Sequence, residues 1–582
     1  MKNFSETANF IWSIADLLRG DYKQSDYGKV ILPFTVLRRL DCVLADTKEA
    51  VLKKCAVLQN MEIDNIDPVL NQTAKQKFHN RSLYDFDKLV ADPDNLAANL
   101  RNYINGFSTD AREILAQFDF ENQIGKLDDS NLLFLVLKRF QGIDLHPSTI
   151  SSMEMGYMFE ELIRKFSELS NETAGEHFTP REVIRLMVNI LFLNDKDILT
   201  QKGIVKTMFD CCAGTGGMLS VAEEYLNELN PEARLEVFGQ ELNSESYAIC
   251  KSDMLIKGQN AANIKQGNSL RREGDAKQNG DGFVHQKFDY LITNPPFGVK
   301  WKKVEKEVKA EYESMGFGGR FGPGLPSVSD GSLLFLMNLI SKMKQDGDGS
   351  RLAIVFNGSP LFSGKPSSRQ NESSIRQWII ENDLLEAVIA LPNQLFYNTG
   401  ISTYIWVLNN RKSTERKGKV QLINAVDFYK KMSKSLGNKR NELSEQHIQE
   451  ITQLYGDFEA TKHCKIFDNK DFGYYKVTVE RPARNEAGEI ITDKKGNPKA
   501  NSKLRDSETI PLSQDIDAYM KKEVLPHVPD AWVDEKKTLV GYEINFTKYF
   551  YEYKSLRSLS QIRADILALE EETDGLIQNV LA

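Results

Sequence analysis

The sequence has few cysteines and no long hydrophobic run. Its six cysteines, spread over 582 residues, show no spacing typical of a disulfide framework, so they indicate reduced thiols. No apolar run is long enough to cross a bilayer. The first twenty residues carry Glu6 and Asp16 and lack a cleavage site of small residues, which argues against a secretory signal. These features predict a cytoplasmic protein that does not span a membrane.

The sequence also lacks an excess of positive charge. Its 74 Lys and Arg residues are outnumbered by 82 Asp and Glu residues, which gives a formal net charge of −8. A protein that binds nucleic acid by itself usually has a basic balance. If this chain acts on DNA or RNA, we expect a partner or one local basic groove to supply most of the affinity.

The composition is otherwise that of a globular protein, with 41% hydrophobic and 27% charged residues, and the length predicts about three domains. Residues 1–150 show apolar side chains at helical spacing and no convincing strand, which predicts a helical domain. Residues 466–582 are highly charged. They end in Leu559–Leu581, whose apolar residues follow a three-four spacing. This spacing predicts an amphipathic helix that docks on another subunit or packs on its own domain.

Residues 151–465 show short apolar runs that alternate with helical patterns. The intervals are mostly long enough for a crossover helix, which predicts an α/β fold with a parallel sheet covered on both faces. Ligands bind at the carboxyl ends of the strands in such sheets. Gly298–Asp330, rich in Lys, Glu and Gly, interrupts the pattern and is predicted to be a mobile excursion. The candidate strands are Ile204–Phe209, Leu235–Phe238, Phe288–Thr293, Leu352–Phe356, Ala387–Leu391 and Thr403–Leu408.

A glycine-rich turn follows the first of these strands. It consists of Asp210, Cys211, Cys212, Ala213, Gly214, Thr215, Gly216 and Gly217. Its spacing lacks the Gly-Lys-Ser/Thr ending of a phosphate loop and is not a strict GxGxxG. This disfavours phosphate binding and leaves a nucleoside or similar ligand open. Glu241 ends the next strand, 25 residues after Gly216, and an acid there can accept hydrogen bonds from both ribose hydroxyls.

The most specific feature is the sequence Asn294-Pro295-Pro296-Phe297 at the end of the strand Phe288–Thr293. Two prolines hold the backbone extended and remove two amide donors. The Asn294 side-chain oxygen and the Pro295 carbonyl remain as acceptors, a pair suited to an exocyclic amino group. Phe297 offers an apolar face on which a planar ring can stack. We therefore predict that these four residues form the catalytic turn.

The glycine turn, the acid and the Asn-Pro-Pro-Phe turn together resemble enzymes that use S-adenosylmethionine to methylate the amino group of adenine in DNA. Further segments narrow this resemblance to the modification (M) subunit of type I restriction–modification systems, an N6-adenine DNA methyltransferase family. These segments are Gly175-Glu176-His177-Phe178-Thr179-Pro180, the stretch from Ala390 to Phe396, the stretch from Gly400 to Leu408, and the stretch from Val540 to Lys548.

The resemblance implies a Rossmann-like methyltransferase sheet, a helical N-terminal domain and a C-terminal helical tail. It also implies that residues 175–180 contact the methionine part of the cofactor, residues 210–217 cradle it, and Glu241 holds its ribose. Asn268 and Ser269 are implied to lie against the cofactor adenine; many relatives carry Asp where this chain has Asn268. No CxxC or His pair accompanies Cys211 and Cys212, so we predict no metal site.

The target adenine must leave the DNA duplex to be reached, which predicts base flipping. Its amino group would donate to Asn294 and to the Pro295 carbonyl, while Phe297 stacks on the ring. Methyl transfer then depends on positioning more than on a strong base. The chain shows no clear surface for reading base sequence and no motor motif. The resemblance implies a specificity (S) subunit that recognises the site, a second M subunit and a restriction (R) subunit, all acting on double-stranded DNA and protecting host DNA.

Three alternatives remain at this stage. A free-standing N6-adenine DNA methyltransferase would bind specific DNA without a partner. An enzyme that methylates an amino nitrogen of protein or RNA could carry the same catalytic turn, although such chains resemble shorter, single-domain proteins. A non-catalytic scaffold with the same fold is disfavoured by the intact glycine and Asn-Pro-Pro-Phe turns.

Overall fold

The computed structural model describes residues 2–59, 61, 65–170, 179–272, 279–367, 370–397, 399–552 and 557–569. By its internal contacts the chain divides into two units, Met1–Ile544 and Asn545–Ala582. Among the described residues, none of the helices combines the length and the hydropathy that crossing a membrane requires. The division into three domains at residues 150 and 465 stays a prediction.

The N-terminal part of the larger unit is helical, as predicted. Its central helix, α2, is buried at 15 of its 18 positions, because its own apolar residues lie on every face of the helix. Within it, Phe34 meets Phe120 edge-on at 4.8 Å and stacks on Phe140 at 5.5 Å. The helices are α1 Lys2–Leu18, α2 Tyr27–Leu44, α3 Lys48–Leu58, α4 Asp67–Ala74, α5 Phe86–Ala91, α6 Leu96–Asn105, α7 Thr109–Ala116, α8 Phe120–Asp129, α9 Leu133–Gln141 and α10 Ser152–Ser170.

A nine-stranded sheet forms the centre of the larger unit, in the order β11-β8-β6-β7-β5-β4-β1-β2-β3. It contains all six strands predicted from the sequence, with no boundary shifted by more than three residues. The strands of the chain are β1 Val205–Asp210, β2 Arg234–Glu241, β3 Ile264–Gln266, β4 Tyr290–Thr293, β5 Arg351–Asn357, β6 Leu385–Ala390, β7 Thr403–Asn409, β8 Lys419–Asn424, β9 Lys430–Leu436, β10 Lys439–Glu442, β11 Cys464–Asp468, β12 Gly473–Glu480, β13 Asp506–Pro511 and β14 Trp532–Tyr542.

The sheet is mostly parallel, and helices pack against it. Strands β1 to β5 pair in parallel, as do β6 and β8. Helices α11, α13, α14, α16 and α19 contact these strands, as in an α/β fold. The helices after α10 are α11 Arg181–Leu193, α12 Lys196–Leu199, α13 Gly217–Leu229, α14 Ser244–Ile256, α15 Glu305–Met315, α16 Ser332–Ile340, α17 Ser359–Phe362, α18 Glu372–Glu381, α19 Glu445–Asp457, α20 Ile516–Tyr519 and α21 Phe546–Phe550.

Two strands of the sheet depart from the parallel arrangement that the sequence predicted. Strand β7 lies antiparallel between β5 and β6, and β11 lies antiparallel to β8. The described residues between 391 and 402 join β6 to β7 without a helix, as a connection between antiparallel neighbours can. The strand pattern in the sequence predicted β7 without its direction, and β11 was not among the predicted strands.

The prediction of a mobile excursion at Gly298–Asp330 was also wrong. The segment contains helix α15 and buries the side chains of Trp301, Val308 and Phe321. The indole nitrogen of Trp301 donates to the carbonyl of Ser327 at 2.8 Å. The abundance of Lys and Glu hid this order, because most of the charged residues of α15 are exposed or half-buried, while Val308 and Glu311 are buried and anchor the helix.

The C-terminal part of the larger unit forms a three-stranded antiparallel sheet, in the order β13-β12-β14. Its central strand is β12. Val477, Ile510 and Met520 are buried in its small core. In the second unit, residues 559–569 are helical, which agrees with the start of the predicted tail helix Leu559–Leu581; the rest of that helix lies outside the described residues.

Candidate active site

The carboxyl ends of β1, β2 and β4 meet at one edge of the sheet. Strand β1 pairs in parallel with β2 on one side and with β4 on the other. The order of the strands across the sheet therefore reverses at β1, and ligands bind at such a point in folds of this kind. A cleft of about 560 Å³ opens there, within the usual range of ligand sites. Its walls include Gly214, Glu241, Asn268 and Asn294. The fold therefore brings together all the predicted motifs that the structure describes.

The glycine turn forms the floor between β1 and α13. Gly214 and Gly216 have φ angles of +54° and +86°, in the left-handed region that favours glycine. A Cβ atom on Gly216 would lie 2.8 Å from the sulfur of buried Cys250, whereas a Cβ on Gly214 would meet nothing within 4 Å. Thr215 and Gly217 also line the cleft. The left-handed backbone therefore favours glycine at both Gly214 and Gly216. At Gly216 the nearby Cys250 sulfur also leaves no space for a side chain.

This difference predicts unequal effects of alanine at the two glycines. Gly214→Ala should cost about 1–2 kcal/mol of folding free energy from backbone strain alone. Gly216→Ala should cost about 1–3 kcal/mol more, because the methyl group collides with the Cys250 sulfur. Urea unfolding of the two variants measures the difference. The double variant Gly216→Ala/Cys250→Ala should recover part of the loss, and equal costs for the single variants would contradict the packing argument.

Glu241 connects the end of β2 to the glycine turn. One carboxylate oxygen accepts from the backbone nitrogen of Gly214 at 2.8 Å, and the other accepts from the backbone nitrogen of Asn243 at 2.7 Å. The side chain also lines the cleft. The sequence predicted only a ribose ligand for Glu241. The structure shows a second role for Glu241: its carboxylate orients the backbone amide of Gly214 in the glycine turn.

Asp210 lies under the cleft and joins β1 to β4. Its Oδ1 accepts from the hydroxyl of Thr293 at 2.7 Å and from the backbone nitrogen of Cys212 at 2.9 Å. Burial raises the pKa of the Asp210 carboxyl to about 7, against the lowering effect of these two hydrogen bonds. Because Thr293 precedes Asn294, Asp210 holds the base of the predicted catalytic turn. It does so from within the core, at 1% exposure.

The raised pKa of Asp210 predicts a loss of stability as pH rises. Between about pH 4 and pH 7 the folded protein keeps a proton on this carboxyl that the unfolded chain has released, so the folding free energy weakens across this window. Asp210→Asn stays neutral and keeps an acceptor oxygen. Its stability relative to the natural protein should therefore rise by a few kcal/mol between pH 4 and pH 8. Urea midpoints at both pH values test this, and a constant difference would contradict it.

The predicted catalytic turn begins where β4 ends. Asn294 is buried, and its Nδ2 donates to the Thr179 hydroxyl at 2.8 Å. Because Nδ2 is the donor in that contact, Oδ1 is the amide atom that can accept from a ligand. Pro296 lines the cleft and Pro295 is buried. The Phe297 ring meets the Phe396 ring edge-on, with 6.3 Å between centroids.

Of the segment predicted to contact the methionine part of the cofactor, the structure describes only its end. Gly175, Glu176, His177 and Phe178 lie outside the described residues. Thr179 lines the cleft, where its hydroxyl accepts from Asn294. The buried residue Pro180 precedes α11, whose first turn includes Arg181.

The turn at residues 267–270 forms another wall of the cleft. The side-chain oxygen of Asn268 accepts from the backbone nitrogen of Leu270 at 3.0 Å, which stabilises the turn. The Ser269 hydroxyl donates to the carbonyl of Cys211 at 2.6 Å. Both residues line the cleft, but Ser269 uses its hydroxyl to join this turn to the glycine turn.

Several residues of the site were not predicted from the sequence. Glu160 lines the cleft and forms an ion pair with Arg181 at 2.9 Å, in which both side chains are buried. Lys300, Trp301 and Lys303, from the segment after the catalytic turn, also line the cleft. One feature of the sequence could have indicated Arg181. The helix dipole disfavours a cation in the first turn of a helix, so an arginine there suggests a specific partner.

Arg320, also missed, ties the segment after the catalytic turn to the turn at residues 267–270. Its guanidinium donates to the carbonyls of Ser269 at 2.8 Å and Leu270 at 3.1 Å. It also forms a buried ion pair with Glu311 at 2.7 Å. Burial acts to raise the pKa of Glu311, but the Arg320 guanidinium outweighs it and holds that pKa below its usual value. Arg320 therefore positions one wall of the cleft.

Removing this cation should be strongly destabilising. Arg320→Met removes the nearer of two cations beside the buried Glu311 carboxylate and leaves Arg272 at 3.7 Å, which should cost up to about 3–5 kcal/mol. The double variant Arg320→Met/Glu311→Gln removes that charge and should recover much of the loss of stability. It should not recover ligand affinity at the cleft, because the carbonyls of Ser269 and Leu270 still lack their donor. Urea unfolding and cofactor titration of both variants test this; full recovery of affinity would contradict a positioning role for Arg320.

Comparison with known proteins agrees with this geometry. The family model described as N-6 DNA Methylase matches residues 151–487, and the model described as HsdM N-terminal domain matches residues 7–140. The chain is 25% identical over 510 residues to the type I restriction enzyme MjaIX methylase subunit of Methanocaldococcus jannaschii, covering 84% of this chain and 83% of that one. It is 27% identical over 280 residues to the HindI methylase subunit of Haemophilus influenzae, covering 47% and 54%.

A solved structure shows the same fold. The type I restriction–modification methyltransferase subunit from Streptococcus thermophilus superposes with a TM-score of 0.60 at 22% identity, covering 81% of this chain and 97% of that one. The N-6 DNA Methylase model spans more than half of this chain and includes every described motif of the cleft. The chain therefore belongs to the N-6 DNA Methylase family.

Proposed function

We propose that this protein is the methyltransferase subunit of a type I restriction–modification complex and transfers a methyl group from S-adenosylmethionine to the N6 amino group of a flipped adenine in DNA. The observation that carries the proposal is the position of Asn294. Its buried side chain lies at the end of β4, in the wall of the cleft that also contains the glycine turn and Glu241. A cofactor in the cleft and a base at the catalytic turn would thus be neighbours.

The residues of the cleft fit S-adenosylmethionine. Glu241 presents a carboxylate for the ribose hydroxyls, and the glycine turn leaves room that side chains would fill. Thr179 would face the methionine part, while Asn268 would meet the adenine ring. S-adenosylmethionine supplies the methyl group, which it carries on a positively charged sulfur. The volume of about 560 Å³ is sufficient for a ligand of this size.

In the proposed mechanism, the protein activates the amino group through hydrogen bonds. Asn294 Oδ1 and the Pro295 carbonyl accept the two amino hydrogens of adenine, which draws the nitrogen lone pair out of conjugation with the ring. Thr179 holds the Asn294 amide in the orientation that presents Oδ1. Phe297 stacks on the flipped base, supported edge-on by Phe396. The surplus proton of the methylated nitrogen is released to water.

We further propose that sequence recognition comes from a specificity subunit, with a second methyltransferase subunit and a restriction subunit in the assembled cytoplasmic complex. The similarity to type I methylase subunits over most of the chain supports this. The net charge of −8 also fits a subunit that relies on a partner for most of its affinity for DNA.

The test is methyl transfer from labelled S-adenosylmethionine to genomic DNA that lacks the host modification. The purified chain is assayed alone and with the product of the gene beside its own, as the candidate specificity subunit. We expect N6-methyladenine only when the partner is present. Label with the chain alone would support a free-standing DNA methyltransferase. Label in protein or RNA but not in DNA would overturn the proposal.

A further inference from the structure

The hairpin formed by β9 and β10, Lys430–Glu442, stands apart from the two larger sheets. It is a two-stranded antiparallel sheet, and most residues of β9 are exposed on both faces. A two-stranded hairpin is marginally stable by itself, so its position depends on the contacts at its base. Its exposed residues have no core to cover, which indicates a surface that serves contact with another molecule.

The base of the hairpin is attached to the loop that follows β6. The backbone nitrogens of Arg440 and Asn441 donate to the carbonyl of Gln394 at 2.9 and 3.2 Å. The buried ammonium of Lys439 donates to the carbonyl of Leu395 at 3.1 Å and forms an ion pair with Glu182. The hairpin is therefore fixed by buried polar contacts to this loop and to the first turn of α11.

Both attachment points also support the catalytic turn. The loop after β6 carries Phe396, whose ring meets that of Phe297. Helix α11, which contains Glu182, directly follows Thr179 and Pro180, and the Thr179 hydroxyl accepts from Asn294. The loop after β6 and the start of α11 therefore hold both the hairpin and the two residues that would orient the target base, Asn294 and Phe297.

The hairpin is strongly basic within an acidic protein. Residues 430–442 contain five Lys or Arg and one Glu, a net charge of +4, against −8 for the whole chain. Lys430, Lys431, Lys434 and Arg440 are exposed. Lys430 lies 4.0 Å from Glu442, and within the described residues Lys431, Lys434 and Arg440 form no ion pair. Like charges held together on an exposed ribbon favour a polyanion as partner.

We propose that the β9–β10 hairpin binds the DNA phosphate backbone beside the adenine that is methylated. This inference rests on the proposed function and adds the surface by which the subunit itself holds DNA. A two-stranded β-ribbon has dimensions that fit the major groove, and lysines at this position would contact the phosphates that flank the flipped nucleotide. The hairpin supplies a local basic surface for DNA on a protein whose net charge is negative.

The test compares two triple variants that change the net charge equally. Lys430→Ser/Lys431→Ser/Lys434→Ser removes the exposed lysines of β9. Lys494→Ser/Lys495→Ser/Lys499→Ser removes three exposed lysines from the excursion between β12 and β13. Each full-length variant is assembled with the specificity subunit, and the affinity for the DNA fragment methylated by the natural complex is measured from low to high salt.

We expect the β9 variant to lower the slope of log affinity against log salt concentration by about 2–3, which corresponds to the loss of two or three phosphate contacts. The control variant should leave that slope unchanged. Cofactor binding in the absence of DNA should be unchanged in both variants, which shows that the cleft is intact.

Three outcomes would overturn the inference. Equal slope changes in both variants would indicate a general charge effect, and an unchanged slope in the β9 variant would exclude phosphate contact. Loss of the specificity subunit from the β9 variant would assign the hairpin to a protein partner. Failure of the natural complex to methylate DNA would instead remove the proposed function, so the two failures are distinguishable.

Discussion

Asn294→Ala is expected to lower methyl transfer by about 10²–10³-fold or more while cofactor affinity stays within a few-fold of the natural protein. The side-chain oxygen is proposed to accept from the adenine amino group as that nitrogen becomes a nucleophile, and losing one such preorganised contact has effects of this size. The cofactor is held mainly by other residues. Single-turnover methylation by the assembled complex, with a separate cofactor titration, measures both quantities.

A conservative variant separates chemistry from folding. Asn294→Asp keeps an acceptor oxygen at the same position but removes the amide group that donates to Thr179. It should retain more activity than alanine, because a carboxylate can still accept from the amino group. If Asn294→Ala instead weakens cofactor affinity strongly while methyl transfer at saturating cofactor is preserved, the role assigned to Asn294 is wrong.

Glu241→Ala should act on the other half of the site. The carboxylate accepts from the backbone nitrogens of Gly214 and Asn243 and is proposed to hold the ribose as well. Losing the proposed charge-assisted hydrogen bonds to the ribose hydroxyls should cost about 3 kcal/mol of binding free energy, or roughly 100-fold in the cofactor Kd. Isothermal titration with S-adenosylmethionine measures the change. Turnover at saturating cofactor should fall much less.

Two further variants make this result specific. Glu241→Gln keeps one acceptor oxygen and should lose less affinity than alanine. Glu228→Ala removes an equal charge from the exposed side of α13 and should leave the cofactor Kd unchanged. An unchanged Kd in Glu241→Ala would show that the carboxylate is structural only, in which case urea unfolding would still report the loss of its two backbone hydrogen bonds.

The contrast between these two positions follows from the geometry of the cleft. Asn294 lies at the end of β4 and Glu241 at the end of β2, with β1 between them. A variant at the first position should change the rate of transfer, and a variant at the second should change cofactor affinity. Asp210 and Thr293 connect β1 to β4 below the cleft, so a defect there should affect both.

The sequence by itself determined the local parts of this protein. Apolar runs at helical or strand spacing indicated the helical N-terminal region and six strands of the sheet, because burial imposes those periods. The glycine turn, Glu241 and the Asn-Pro-Pro-Phe turn were recognisable since each depends on neighbouring residues in the chain. Their meeting at one edge of the sheet also followed, because carboxyl ends of parallel strands lie together.

Only the tertiary structure decided which distant residues support those motifs. Arg320 reaches the carbonyl of Ser269, 51 residues earlier, and Lys439 pairs with Glu182 across 257 residues. No period in the sequence distinguishes these cations from the many that stay in solvent. The antiparallel direction of β7 and the order in Gly298–Asp330 were decided the same way. Each depends on long-range packing and on burial of a few groups, which local pattern does not encode.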